Sequence, residues 1–557
     1  MTAAVRQAAC LLVWTAAVLF LTWPLGAHLA THLPGVAMGG PLDALLLGSS
    51  LAHESRALVS HPLALPDAPF YWPAPRALFY GEAGFGAVPF FMAPFLATGN
   101  PTLALNLLLL GGLVLTAWSM HRVVARLTAS EAAGFVAGAV LVTTPWIAWA
   151  WLPAAPSYAV LPYFPWIMLA AARPSSRGAT AAALLGLVTL QGLTSVYVAA
   201  PLVGPLAVVA CLRMARGSTR AAGLTLLAVV VASAALLALA YSGYARVRHD
   251  NPALEEQTLW RARPTDPEPA ILGTAARLGP LAVPPAAVVV VAAGVVAAVA
   301  SEGWRSLGAL PWRIGWLWTA VGIVMAIRPH ADWRESLLAA PQSLLARFTS
   351  LYDVIRIPER LGLAALMGIA VLTGVAFAAC VRRRPGVTAA LLVASVAAMY
   401  ATCQRDIDTP WLALRPLPRP YPLAPDVPPP APALMDVLAR PGGPLVEVPA
   451  GTHPWRNVRA MYRAIHHRRS IVNGYSGYWP AGFPERMALA DRLPDPDALA
   501  ELVRQTGVEL VLVHAGDLHG TPAATAWTAL AARDGGGPLT LVARDGDDLL
   551  FRAGRPR

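Results

Sequence analysis

The chain has 557 residues, of which 56% are hydrophobic and 13% are charged, with a formal charge of +11. A soluble domain carries roughly 25% charged residues, so a chain this long cannot cover its surface in water without the bilayer as part of its solvent. All 42 basic residues are arginine, which removes any lysine nucleophile or Schiff base. The basic excess sits in short clusters at helix ends, which topology explains and nucleic-acid binding does not. Cys10, Cys211, Cys380 and Cys403 form no CxxC-type motif, so neither a disulfide framework nor a zinc site is indicated.

Spanning the hydrocarbon takes roughly 20 apolar residues. Apolar runs of that order predict spans at 8–30, 102–121, 131–151, 155–172, 221–242, 280–300, 310–327, 361–381 and 386–403. The first reads as an uncleaved signal anchor running into Trp23-Pro24. The stretch 179–212 is long for one span and short for two. Arginine clusters flank it on both sides, Arg173/Arg177 before and Arg213/Arg216/Arg220 after, and placing both clusters inside requires two crossings. The break is expected in Gln191-Gly192-Leu193-Thr194-Ser195. Eleven spans then put the N-terminus in the cytoplasm and loops 31–101, 243–279 and 328–360 outside. None of the spans has an acid or an arginine in its centre.

Residues 404–432 form a Pro-rich linker expected to act as a semi-rigid spacer. Residues 433–557 change character. Short apolar runs, Leu445–Val448, Ser470–Val472 and Glu509–Val513, alternate with helical stretches such as Pro496–Gln505. That pattern predicts a small α/β domain, extracytoplasmic on the eleven-span count. The expected fold class is thus a polytopic α-helical membrane protein, 1–403, with a C-terminal extracytoplasmic α/β domain, 433–557.

Leu42–Ser60 reads as an amphipathic helix that could lie along the membrane surface. Asp43, Ser50 and Glu54 fall near one face of it. Asp43 and Glu54 are about 16 Å apart along the axis at 1.5 Å per residue, too far to grip one reacting atom together. Each is therefore a candidate lone acid or base, and Asp43 is also well explained as a first-turn residue beside the helix dipole. Tyr71, Trp72 and Tyr80 are candidate sugar contacts with Glu82 beside them, or members of an aromatic belt. Asn473, Tyr475 and Tyr478 lie in a Gly- and Tyr-rich turn, a candidate acceptor contact or ordinary turn chemistry.

Several short motifs then recur in one order. They are Thr22-Trp23-Pro24, Thr31-His32-Leu33-Pro34, Asp43, Tyr71-Trp72-Pro73, Tyr80-Gly81-Glu82 and Thr98-Gly99-Asn100-Pro101. Later come Arg356-Ile357-Pro358-Glu359-Arg360, Leu445-Val446-Glu447-Val448-Pro449, Met461-Tyr462, Asn473-Gly474-Tyr475-Ser476-Gly477-Tyr478, and Gly507-Val508 before a strand ending at His514. In combination they resemble bacterial membrane proteins related to GT-C glycosyltransferases, a class that includes protein mannosyltransferases and the lipid A aminoarabinose transferase. The resemblance implies a multi-helix membrane fold with a large first outer loop, in the bacterial plasma (inner) membrane. It implies a polyprenyl-phosphate sugar donor, a glycan, lipid or protein acceptor, and an acidic residue in that loop as base, which by position is Asp43. Better-known members carry an acidic pair there. Here Asp43 has no adjacent acid, so no metal-ligand set and no certain cofactor is indicated, a divalent metal included.

A lipid-phosphate leaving group asks for a bidentate cation, and arginine supplies one. The candidates are Arg356 and Arg360, with Arg246 and Arg248 behind them; snorkelling interfacial arginines are the plain alternative. A transporter or flippase is disfavoured by the lack of central ionisable residues and of a paired broken helix. A non-catalytic glycan- or lipid-binding scaffold stays open beside the glycosyltransferase.

Overall fold

The structure, a computed structural model, describes residues 2–35, 41–147, 159–252, 254, 281–327, 358–382, 385–405, 414–415, 420–533 and 537–554. Helix α1 (Ala3–Leu21) is N-capped by Thr2, whose hydroxyl accepts the Val5 N–H. In chain order follow strand β1 (His32–Pro34), α2 (Leu42–Ser60), α3 (Val88–Thr98), α4 (Pro101–Thr128), α5 (Glu131–Thr143), α6 (Phe164–Ala172), α7 (Gly178–Gly192), α8 (Val196–Met214), α9 (Arg220–Ala240) and α10 (Ser242–Asp250). Further helices cover Pro285–Glu302, Leu310–Ala326, Leu363–Val381 and Thr388–Ala401.

Among the described residues, six helices are long and apolar enough to cross a membrane: Ala4–Leu21, Pro101–Thr128, Val196–Met214, Gly217–Ala240, Pro285–Glu302 and Glu359–Val381. The helices at Pro101–Thr128 and Glu359–Val381 are mostly buried and form the centre of the bundle. The outer ones present Leu12, Leu239, Val289 and Val296 as exposed apolar side chains, as a lipid-facing surface does. The expected spans 131–151 and 155–172 coincide with the shorter α5 and α6, and residues 148–158 lie outside the described residues.

The expected break in 179–212 falls where α7 ends at Gly192 and α8 begins at Val196. Gln191, at the end of α7, ties this point to the segment that leads into α6. Its Oε1 accepts the Tyr163 and Phe164 N–H groups, each at 3.1 Å, and its Nε2 donates to the Val160 carbonyl at 2.9 Å. One side chain thus satisfies three backbone groups that water would otherwise have to reach.

Small residues set the closest helix contact. A Cβ on Gly322 would sit 2.1 Å from the Ala365 nitrogen, so Leu310–Ala326 and Leu363–Val381 touch backbone to backbone there.

Two features differ from expectation. Helix α2 is not a one-sided surface helix. Ala44, Leu45, Leu47, Leu51 and Ala52 are buried between α3, α4 and the helix Pro454–His467, because its apolar residues spread around more of the helix than a one-sided stripe. The Pro-rich linker is stitched down as well. Short strands β2 (Gln404–Arg405) and β3 (Leu414–Arg415) pair with each other, and β4 (Leu423–Pro425) pairs antiparallel with β1, His32 opposite Pro425. Tyr421 and Asp426 donate their N–H groups to the Trp23 and Thr31 carbonyls at 2.8 and 3.0 Å. An extended proline-rich segment keeps unpaired carbonyls and a few N–H groups, and here they find a partner chain segment.

The carboxy-terminal part carries a four-stranded sheet in the order β5 (Leu445–Val448), β6 (Leu510–His514), β8 (Asp548–Ala553), β7 (Leu539–Asp545). Strands β5 and β6 are parallel, with Leu445 opposite Leu510, and the crossover between them holds the helices Pro454–His467, Phe483–Asp491 and Pro496–Thr506. The hairpin β7–β8 was not read from the sequence, since Arg544, Asp545, Asp547 and Asp548 hide its alternation.

Replacing Gly322 by leucine is expected to destabilise the bundle by about 1–3 kcal/mol through overpacking. A lower melting temperature of the purified protein in detergent, with Gly322→Ala intermediate, is the outcome to look for.

Candidate active site

Five stretches far apart in sequence meet at one cavity of about 140 Å³. Asp43 comes from the first turn of α2, with Leu46 and Leu47 one turn on. Tyr80, Gly81 and Glu82 come from the same outer segment, Val196 and Tyr197 from the start of α8, and Tyr244 from α10. Arg360 comes from the turn leading into Leu363–Val381, and Ser476, Gly477 and Tyr478 from the glycine- and tyrosine-rich turn of the carboxy-terminal part.

The wall is held by hydrogen bonds. The Ser195 hydroxyl donates to Glu82 in a short contact. The Tyr244 hydroxyl accepts the Ala83 N–H at 2.9 Å and donates to the Gly81 carbonyl at 2.8 Å, so it holds the Tyr80–Glu82 turn rather than offering a free phenol. Burial, together with the Glu82 charge, keeps that phenol protonated. The Tyr80 carbonyl accepts the Ser476 hydroxyl at 2.8 Å and the Tyr478 N–H at 3.2 Å. The Arg360 guanidinium stacks 5.1 Å from the Tyr197 ring centre, a cation–π contact that orients its fork.

Asp43, Glu82, Arg360, Tyr80 and Tyr478 are thus brought together. The others are not. Glu54 is fully buried, away from the cavity lining, and its two carboxyl oxygens have no side-chain hydrogen-bond partner. Burial lifts it to about 8, opposed by the Gly84 backbone, so it is protonated at neutral pH. Arg246 and Arg248 stand on α10 outside the lining, which receives Tyr244 from that helix instead. Arg356 lies outside the described residues.

Tyr71, Trp72, Asn473 and Tyr475 do not line this cavity, and each makes hydrogen bonds within the protein. The Tyr71 hydroxyl donates to the Tyr478 carbonyl at 3.1 Å, and Trp72 Nε1 donates to the Thr506 carbonyl at 2.7 Å. A Cβ on Gly474 would fall 2.2 Å from the Tyr71 ring, so only glycine admits that ring. The Tyr475 N–H donates to the Met461 sulfur at 3.1 Å. Asn473 exchanges hydrogen bonds with the Glu447 backbone at 2.8 and 3.1 Å and donates to Asn457 Oδ1 at 3.2 Å, which roots the turn in β5.

Sequence reading missed Ser195, Tyr197, Tyr244 and Ser476. Ser195 and Tyr197 sit in and just after the expected helix break, and Ser476 sits between two named tyrosines, so position was the available signal.

Beneath the turn lies a buried ionic chain. Arg463 Nε donates to Glu447 Oε2 at 2.8 Å, His514 Nε2 lies 3.1 Å from the same oxygen, and His514 Nδ1 lies 2.7 Å from Asp548 Oδ1. Burial pushes the Glu447 carboxyl up, but Arg463 and His514 outweigh it and hold it well below its usual range. Burial and Arg463 pull the His514 imidazole down, but its bonds to Asp548 and Glu447 win and raise it.

Asp43 and Glu82 are the cavity's two carboxylates and the residues that could hold a divalent cation there. A second cluster, Cys10, His121 and Glu131 in the bundle, has ligand atoms within 4.8 Å of one another. It does not fit a cation. The Trp14 indole donates to His121 Nδ1 at 3.2 Å, so His121 Nε2 carries the proton and donates to Glu131 at 2.8 Å, which also pairs with Arg122 at 3.1 Å.

No family model and no curated protein matches the chain. Among solved structures it is similar to ArnT from Cupriavidus metallidurans in the apo state, at 14% identity and TM-score 0.36 over 100% of both chains. It is also similar to that protein bound to undecaprenyl phosphate, at 14% identity and TM-score 0.38, over 98% of this chain and 99% of that one. The Archaeoglobus fulgidus oligosaccharyltransferase with zinc and sulfate is similar at 12% identity and TM-score 0.42, over 91% of this chain and 68% of that one.

The ionic chain sets a pH window for the turn. His514 has a raised value, so its stabilisation is complete below about 6.5 and is lost as pH climbs through the raised one. Glu447 has a lowered value, so its contribution is complete above about 4.5 and is lost as pH falls toward the lowered one. Thermal melts are expected to peak between those two values. The His514→Gln variant should lose the decline on the alkaline side.

Proposed function

We propose that the protein is a membrane glycosyltransferase of the GT-C type. It moves a sugar from a polyprenyl-phosphate donor to an envelope acceptor on the outer face of the bacterial inner membrane. The observation that carries this reading is the cavity itself, where an acid, a second acid, an arginine and four tyrosines converge from separate stretches beside apolar helices. Polar convergence of this kind in a concave site is what a reaction site needs and what a packing defect lacks.

In this reading Asp43 accepts the proton of the acceptor hydroxyl as its oxygen bonds to the sugar's anomeric carbon. The bond from that carbon to the phosphate oxygen breaks, and the phosphate departs with the electron pair. Arg360 faces the growing phosphate charge, with its fork steadied on Tyr197. Glu82 is bonded to Ser195, a placement suited to orienting a sugar hydroxyl rather than to taking its proton. The helices long and apolar enough to cross a membrane, six among the described residues, supply the apolar surface a polyprenyl chain requires.

The cavity's volume, about 140 Å³, favours one second reading: a scaffold that binds glycan or lipid without transferring it. Reconstitution with polyprenyl-phosphate sugars separates the two. Transfer by the wild type, falling about 10²–10⁴-fold in Asp43→Asn with donor binding retained, is the expected result. Arg360→Gln should instead weaken donor binding about tenfold. Equal transfer by Asp43→Asn removes that residue from the mechanism, and donor binding without any transfer supports the scaffold.

A further inference from the structure

A second cavity, of about 470 Å³, opens on another face of α2, toward the helix Pro454–His467. At about 100° per residue, Arg56 points some 140° away from Asp43 around the helix axis, so the two cavities are separate.

Its charge is unbalanced. Arg56 and Arg468 both line it, with His53 beside them and Asp67 as the carboxylate on its wall. Asp67 Oδ1 is engaged by the Arg76 N–H at 2.8 Å. Among the described residues neither arginine is in an ion pair. Arg56 spends one donor on the Ile465 carbonyl at 2.6 Å and rests its guanidinium 4.9 Å from the Phe95 ring centre. Burial, and then the Arg468 charge, pull the Arg56 guanidinium down to about 10. The dipole at the C-terminus of Pro454–His467 accounts for one cation at that end. Arg56 meets the same helix end through the Ile465 carbonyl, so both arginines stand at it. Two like charges lining one cavity are a cost that an anion would remove.

The mouth is apolar. Val59 and Leu96 line it and are 66% and 47% exposed, and Leu58 and Leu63 continue the surface at 43% and 96%. Leu96 stands only five residues before Pro101, where a helix long and apolar enough to cross a membrane begins, so this lip lies near the end of such a helix. A cationic floor behind an apolar lip at that level matches an amphiphile with an anionic head.

We propose that this cavity binds the phosphate headgroup of an anionic membrane lipid, with Arg56 and Arg468 as the phosphate ligands and Val59 and Leu96 under the acyl chains. The proposal is independent of the glycosyl-transfer reading, since it concerns another cavity.

The test uses the full-length protein in lipid nanodiscs. One set contains phosphatidylcholine alone, a second adds phosphatidylglycerol, and a third is phosphatidylcholine with inorganic phosphate in the buffer. The readouts are modification of Arg468 by phenylglyoxal and retained lipid by native mass spectrometry. Phosphatidylglycerol should protect Arg468 and stay bound to the wild type, inorganic phosphate should not protect, and Arg468→Gln should weaken retention about tenfold. Arg468 is exposed, so that variant folds even where Arg56→Gln does not. Equal protection by inorganic phosphate alone overturns the lipid as ligand. Absence of protection in every set, or undiminished retention by Arg468→Gln, overturns the site.

Discussion

The arrangement depends on one seam, where residues 69–72 of the outer segment bond to residues 471–473, which are themselves bridged to β5 of the carboxy-terminal sheet. The Ile471 N–H donates to the Pro69 carbonyl at 2.7 Å, and the Tyr71 and Trp72 N–H groups donate to the Asn473 and Ile471 carbonyls at 3.0 Å. The Tyr71 ring then packs over Gly474, where any side chain would collide. This seam fixes Tyr80–Glu82 against Ser476–Tyr478. Without it two walls of the cavity have no defined relation to each other.

The bundle closes the other side through its own irregularity. The break between α7 and α8 leaves backbone groups that an apolar interior must satisfy. The Leu193 carbonyl there accepts the Gly86 N–H of the outer segment at 2.8 Å, and Gln191 beside it bonds the Val160, Tyr163 and Phe164 backbone. Ser195 caps α8 through the Tyr197 N–H at 3.0 Å and also meets Glu82. The same interruption that turns the chain therefore anchors an acid of the candidate site. Structural satisfaction and cavity construction are one event here.

Much of this was legible because it follows from strong local signals. The bounds of α2 follow from Pro41 and the polar Ser60-His61 end, and the break at Gln191–Ser195 follows from arginine clusters on both sides. Charge in the outer segments pointed to Asp43, Glu82 and Arg360 as single residues. Their meeting was not legible, since it depends on contacts between stretches up to several hundred positions apart. The same limit explains the residues that lie off the cavity. An aromatic or amide in a loop looks alike whether it docks the loop, as Trp72 does on Thr506, or faces a ligand. Glu54 shares the Asp43 face of its helix by spacing, yet α2 is enclosed on that side as well, so the carboxyl is buried and neutral. Periodicity reports a face but not what covers it.

The central claim is that the cavity between the outer segment, the bundle and the sheet is where a lipid-phosphate sugar sits. An experimental structure with a polyprenyl-phosphonate sugar analogue tests it most directly. The account predicts the phosphonate beside Arg360, the sugar between Glu82 and Tyr478, and Asp43 facing the anomeric carbon. Analogue bound elsewhere, with this cavity empty and its wall unchanged, would contradict it.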